Sequence, residues 1–390
     1  MIATPKDVIE VYGHTAPNGK WVSISGRLRA RGSAEASFLY DTGSGRFIKR
    51  PTSGGGSVVF SVDGTRGAWL QEDPGFFEWK RTGVLRIATL DPSGPATITF
   101  DVKTSVWTSL ALSPSGRRIA VYDGNVLTAY DVSDLSKPRQ ILAVRKNTSR
   151  SFAFVGEDTV RLSPRPYYPP NRKEIAPPEL EIEEISLLSR KSLVTGRIEN
   201  DALANLRARI SADGRYLVEE SDKRLTLHDG RTGGLLATLS EDLAAPKMRF
   251  LSGDRIVVAG VAEGKGILKI FIEGERTPSR VVELGAARTV VLGGEVAPGH
   301  IAVSLSPFRS NDERSRRAWK LAFVDVATGA VSSGPEGLVP LDRYSWWFSP
   351  VLPPAEAGLP ASTLFLDASS RLVRLDPATG AQTVLLGRSK

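Results

Sequence analysis

Aromatic and arginine side chains gathered at short spacing are the groups in this chain best placed to act on another molecule. Phe76, Phe77 and Trp79 stand together, followed by Lys80 and Arg81. Tyr167, Tyr168 and Arg172 lie in a proline-rich run from Ser163 to Pro178. A third segment, Pro307 to Trp319, carries Arg309, Arg314, Arg316 and Arg317. Aromatic rings offer large apolar area, arginine offers directional donors, and both are common anchors of binding hot spots. The chemistry they imply is non-covalent capture of a protein or peptide. Phe76, Phe77, Trp79, Tyr167 and Tyr168 would be its apolar anchors, and Arg172, Arg314 and Arg316 its polar contacts. The competing reading makes these segments decorations that cover sheet edges, with the arginine-rich run a solvated excursion.

Covalent chemistry has fewer candidates. There is no Gly-x-Ser-x-Gly elbow, no Walker A loop and no Gly-x-Gly-x-x-Gly turn. Cysteine is absent, and the three histidines, His14, His228 and His300, are far apart. Neither a thiolate nor a histidine-rich metal site is expected, and no cofactor. Glu179, Glu181, Glu183 and Glu184 alternate along one segment and read as a solvated or ion-paired strand face, not an acid–base pair. The net charge of +8 suits acidic partners, anionic lipid surfaces or simple solubility. Glu72, Asp73, Glu78, Glu174, Asp312 and Glu313 dilute the basic residues of the three segments, so nucleic acid is not an expected partner.

The elements that must position these groups show in a recurring signal. A β-rich run ends in a polar turn, often Asp-x-x-x-Gly, and a second β-rich run follows. Copies begin at Tyr40-Asp41, Leu90-Asp91, Tyr130-Asp131, His228-Asp229, Val324-Asp325 and Leu375-Asp376. Degenerate copies lie near Leu188-Ser189-Arg190-Lys191 and Ile272-Glu273-Gly274. Short strands recurring every 40 to 50 residues or so predict an all-β chain, a single β-propeller of eight four-stranded blades. The predicted blades span about 7–50, 57–102, 106–144, 150–198, 206–239, 247–284, 288–334 and 344–386. Seven blades, or a pair of β-sandwiches, are the alternatives. The cleanest copy predicts strand A at 107–112, a Ser113-Pro114-Ser115-Gly116 turn, strand B at 118–122, C at 126–130 and D at 139–143.

The segments Leu112-Ser113-Pro114-Ser115-Gly116-Arg117-Arg118-Ile119-Ala120 and Ile210-Ser211-Ala212-Asp213-Gly214-Arg215-Tyr216-Leu217 resemble WD40-like, PD40-type repeats of TolB-like propellers. Val62-Asp63-Gly64-Thr65 is a weaker copy, and no Trp-Asp dipeptide occurs. The resemblance implies the propeller fold and a bias toward protein binding.

On such a scaffold the B–C and D–A loops share one face, and the A–B and C–D loops the other. Segments 71–81, 163–178 and 307–319 all read as B–C loops. Ser349 to Pro360, with Pro350, Pro353, Pro354 and Pro360, reads as a stiff A–B loop of the last blade. Trp107, Trp346 and Trp347 are expected on A strands, Trp21 and Trp69 on B strands. Blade 1 is expected to pack against blade 8 without sharing a strand. No apolar run approaches the roughly 20 residues that cross a bilayer. With Met1 as the native start a cytoplasmic protein is expected, and after removal of a leader a periplasmic or extracellular one. The function read from the sequence is a non-catalytic scaffold binding through the B–C face. An enzyme or ligand-binding propeller with its site at the central channel is the alternative, and a structural subunit of a larger assembly a further one.

Overall fold

The computed structural model describes residues 8–16, 21–28, 35–49, 58–72, 81–90, 97–104, 108–123, 125–145, 152–163, 179–199, 207–211, 214–220, 224–251, 254–308, 317–341, 364–369 and 371–386. They form eight four-stranded antiparallel sheets, each of four consecutive strands, A to D, in chain order. Blade 1 is Val8–Thr15, Trp21–Leu28, Glu35–Asp41 and Phe47–Lys49; blade 2 is Val59–Phe60, Arg66–Glu72, Arg81–Thr89 and Thr97–Thr104. Blade 3 is Ser109–Leu112, Arg118–Tyr122, Val126–Asp131 and Arg139–Arg145; blade 4 is Phe152–Phe154, Thr159–Leu162, Glu179–Ser186 and Ser192–Glu199. Blade 5 is Arg207–Ile210, Tyr216–Glu220, Leu225–Asp229 and Leu235–Ser240; blade 6 is Ala244–Leu251, Arg255–Ala262, Lys265–Ile272 and Arg280–Ala286. Blade 7 is Thr289–Ala297, His300–Ser306, Lys320–Asp325 and Val331–Glu336; blade 8 is Val339–Pro340, Leu364–Leu366, Leu372–Leu375 and Gln382–Leu386.

Two compact units divide the chain. One holds Met1–Gly55, Asp242–Ser349 and Pro354–Lys390, the other Gly56–Glu241 and Pro350–Pro353. Strand B of blade 3 shows how each core is built. Its side chains alternate between the two sheet faces. Ile119 and Val121 pack with Ala68, Leu70, Leu85 and Ile87 of blade 2. Ala120 and Tyr122 pack with Phe154, Val160 and Leu162 of blade 4. A sheet buried on both faces needs an unbroken apolar run, and Ile-Ala-Val-Tyr supplies it. In the other unit, Ile301, Val303 and Leu305 face blade 6 while Ala302 joins a cluster with Phe365 and Leu375 of blade 8. Blades 1 and 8 share no strand among the described residues. They meet through Val22, Ile24 and Tyr40 against Leu341, Leu364, Leu366 and Leu372.

The turns repeat as strictly as the strands. Four C–D turns read Asp-x-x-Ser/Thr-Gly, beginning at Asp41, Asp229, Asp325 and Asp376. The aspartate Oδ1 accepts backbone N–H groups inside the turn, such as Arg231 and Thr232 on Asp229 at 3.0 and 2.7 Å. The closing Gly45, Gly233, Gly329 and Gly380 sit at φ 69° to 77°, where a side chain is strained. The A–B turns open on a buried serine, Ser61, Ser113 or Ser211. Its hydroxyl oxygen accepts the N–H of Arg66, Arg118 or Tyr216 at 2.9 to 3.0 Å.

One blade begins earlier than its predicted limit. Strand A of blade 8 is Val339–Pro340, not a run starting at 344. Leu338, Val339 and Leu341 are buried and supply the apolar side chains. Proline is tolerated because this strand has a neighbour on one side only. Trp107, Trp346 and Trp347 lie outside the described residues, as does the 350–360 segment. Trp21 and Trp69 are buried on B strands as expected.

Candidate functional site

The two ends of the blades differ in construction. At the B–C end, blade 3 connects its strands through a tight turn in which Asp123 Oδ1 accepts the N–H groups of Asn125 and Val126 at 2.8 and 2.7 Å. Blade 6 uses Glu263 and Gly264, both at positive φ, between Ala262 and Lys265. In blades 2, 4 and 7 the same connection is replaced by the long segments that carry the aromatic and arginine clusters. Phe76, Phe77, Trp79, Tyr167, Tyr168, Arg172, Arg314 and Arg316 all lie outside the described residues. The base of the blade 7 segment is described. Phe308 stands 49% exposed, its N–H donating to Ser306 Oγ and its carbonyl accepting from Thr289 Oγ1. Trp319 corrects an expectation: it is fully buried ahead of strand C, not part of an exposed excursion.

At the A–B and C–D end, arginines reach from one blade to the next. Arg66 of blade 2 donates to the carbonyls of Gly116 and Val132 in blade 3, at 3.2 and 2.5 Å. Arg118 of blade 3 binds Asp158 of blade 4 at 3.2 Å and its own Asp131 at 2.7 Å. Glu157 of blade 4 receives the N–H and the hydroxyl of Ser115 at 2.8 and 2.7 Å. Arg161 of blade 4 joins Glu184 in its own sheet to the Gly214 carbonyl of blade 5. The expected ion-paired glutamate face is present: Arg197 lies 3.8 and 3.4 Å from Glu179 and Glu181. These groups serve the seams, since their donors and acceptors already face one another.

One cluster combines residue types that catalysts use. Glu219 on strand B and Thr226 and His228 on strand C share a face of blade 5, because Glu219 pairs with Thr226 and Leu217 with His228. Leu217 packs on Leu180, Ile182 and Ile198, so that face looks onto blade 4. His228 Nε2 lies 3.1 Å from Glu219 Oε2 and 3.0 Å from Thr226 Oγ1, and Nδ1 lies 3.0 Å from the Gly233 carbonyl. A carbonyl can only accept, so Nδ1 carries a proton. A carboxylate at Nε2 then favours a second one. Burial by itself would push the imidazole pKa down. The hydrogen bond and charge of Glu219, with the Gly233 carbonyl, outweigh burial and the Arg224 charge, and the pKa is raised. Glu219 Oε1 is buried without a hydrogen-bond partner among the described residues. When protonated, the ring is held at both nitrogens by groups of its own blade. The sequence carried a faint signal of this pair, a glutamate two residues after Leu217 on an otherwise apolar strand face. Among the described residues no group of His, Asp and Glu could hold a metal ion.

No protein-family model matches the chain, and no curated protein sequence matches it. Several solved structures do. A crystal structure of the eukaryotic initiation factor is similar at 13% identity over 83% of this chain and 87% of that one, with TM-score 0.52. The β-propeller domain of the Trilobed protease from Pyrococcus furiosus, which has an open velcro topology, is similar at 13% identity over 84% and 96%, with TM-score 0.51. Porphyromonas gingivalis dipeptidyl peptidase 4 is similar at 11% identity over 84% of this chain and 53% of that one, with TM-score 0.50. The chain thus spans about half the length of that peptidase, and 42% of a prolyl endopeptidase. Likeness at such low identity shows the fold alone: the chain is a β-propeller of eight four-stranded blades.

Proposed function

We propose that the chain is a non-catalytic interaction scaffold that holds a protein or peptide at the B–C end of its blades. The observation that carries this reading is a contrast among the B–C connections of individual blades. Blades 3 and 6 close their B–C connections in tight turns, whereas blades 2, 4 and 7 spend long segments there. Loops free of a structural task are where a propeller's binding groups gather. Phe76, Phe77 and Trp79, and Tyr167, Tyr168 and Arg172, leave the B–C ends of two blades in the same unit. They would form the apolar and polar parts of one contact, and Arg314 and Arg316 of blade 7 would be polar contacts in their own right. The TolB-like, WD40-like character of the Ser113–Ala120 and Ser211–Leu217 segments supports the same bias toward protein partners.

The test is joint replacement of Phe76, Phe77 and Trp79 by alanine in affinity-tagged protein. Capture of the partner that co-purifies with the unaltered chain is expected to be lost while the thermal melting profile stays unchanged. Undiminished capture would remove this end of the blades from the proposal.

A further inference from the structure

The C–D turn of blade 4 departs from its own repeat. Where four blades place Asp-x-x-Ser/Thr-Gly, blade 4 has Ser186-Leu187-Leu188-Ser189-Arg190. Serine replaces the capping aspartate, and Arg190 occupies the left-handed glycine position at φ 59°. Leu188 stands where the other turns have Gly43, Arg231, Ala327 and Ala378, and it is 73% exposed. None of these changes favours the turn itself, since arginine strains a left-handed position and an apolar tip wets its surface.

The neighbourhood extends the departure. Leu193 and Val194 follow on strand D at 61% and 41% exposure. Blade 5 adds Leu235 and Leu236 at 49% and 38%. The blade 5 turn lies directly on blade 4: a Cβ on Gly196 would fall 2.4 Å from the Arg231 carbonyl, and Arg197 N–H donates to Thr232 O at 3.3 Å. Arg190 and Lys191 follow Leu188 in the chain, Arg231 lies on the blade 5 turn, and all three are exposed. Among the described residues none of the three has a carboxylate within ion-pair distance, although Arg197 on strand D of blade 4 has two. The nearby Glu183 carboxylate accepts the Ser192 hydroxyl.

We propose that the C–D turns of blades 4 and 5 dock on an anionic lipid surface, with Leu188 entering the headgroup–acyl boundary and Arg190, Lys191 and Arg231 meeting the phosphates. A hairpin tip is convex. A fluid surface moulds to it, whereas a protein partner would need a matching cavity within an interface of about 1,000 Å² or more. A second copy of the chain would set cations against cations. Apolar insertion and basic contact are each weak anchors and hold a membrane surface when combined. The excess of +8 adds attraction at longer range. The site lies at the opposite end of the blades from the proposed partner contact, so the two are separable.

Sedimentation of the full chain with vesicles tests it. Retention is expected on vesicles of phosphatidylcholine with phosphatidylglycerol, not on phosphatidylcholine alone, and should fall as salt rises. Leu188→Ser should weaken it about tenfold, and Lys191→Glu and Arg231→Glu about fivefold or more each. Arg190→Gly should also weaken it about fivefold while raising thermal stability, which separates lost docking from unfolding. Joint alanine replacement of Phe76, Phe77 and Trp79 should leave retention unchanged. Equal retention on both vesicle types, retention on neither, or indifference to the Lys191→Glu, Arg231→Glu pair would overturn the proposal.

Discussion

Between blades 6 and 7, fourteen buried aliphatic side chains form one cluster running from Leu251 to Val326. Between blades 4 and 5 the apolar cluster is Leu180, Ile182, Ile198 and Leu217, and the Glu219–His228 pair stands beside it. The first seam draws on area removed from water, which is indifferent to pH and tolerant of small shifts. Beside the second stands a half-buried acid–imidazole pair within blade 5, whose desolvation when charged must be offset by its own contact. The same blade architecture thus predicts a response to volume at the first seam and a response to protonation beside the second.

The largest effect is expected at the aliphatic seam. Ile270 is 1% exposed inside that cluster, and Ile270→Ala removes a branched side chain without offering a polar substitute. A loss of about 4 kcal/mol is expected from urea unfolding, equal in mildly acid and mildly alkaline buffer. A loss that varied strongly with pH would mean that this seam, too, depends on a titrating group.

At the charged seam the expected loss is smaller and tied to pH. Glu219→Gln keeps the shape and removes the charge that holds the imidazolium. The His228 pKa in the folded chain is raised above the ordinary 6.5. The pair therefore stabilises fully below that value and loses its contribution as pH rises through the folded pKa. Glu219→Gln should cost about 2 kcal/mol in mildly acid buffer, less than an unpaired permanent charge because histidine can shed its proton. The gap from the unaltered chain should close in alkaline buffer. A gap that stayed constant or widened would show that His228 is neutral in the seam. The turn aspartates run the opposite way. Hydrogen bonds from Thr328 and Ala327 hold Asp325 low, and those from Thr379 and Ala378 hold Asp376 low. What they contribute is present above the ordinary carboxylate range and lost as pH falls through their folded values.

These seams mark how far the sequence could be read. In blade 3, strand B was legible to the residue, Arg118–Tyr122, because a Pro-Ser-Gly turn precedes a run with both faces apolar. The strand C glutamates of blade 4 were legible as a polar face because alternation alone places them, and the structure decides for ion pairing over solvation. The latches were not. Arg66, Arg118 and Arg161 look in sequence like solvated strand residues, and the neighbouring blade supplies acceptors that their own strand sequence does not reveal. His228 was visible as a histidine before a turn, but Glu219 becomes its partner through cross-strand register. Trp319 read as loop because an arginine run precedes it, yet the sheet takes it into the core. The aromatic and arginine candidates of the B–C segments rest on the sequence and on the strands that flank them.

The smallest effect belongs to the C–D turn of blade 4, and it has the opposite sign. Arg190 holds φ 59°, where its Cβ crowds the backbone, and its N–H still donates to the Ser186 carbonyl at 2.9 Å. Glycine fits that conformation at no steric cost but loses more freedom on folding, so the two terms partly cancel. Arg190→Gly should therefore stabilise by about 1 kcal/mol, read as a higher urea midpoint with an unchanged slope. A matched gain that persists when Glu219→Gln is also present would show that turn and seam act independently. A gain lost in the double variant would mean that strain in this turn is transmitted to the contact of blade 4 with blade 5.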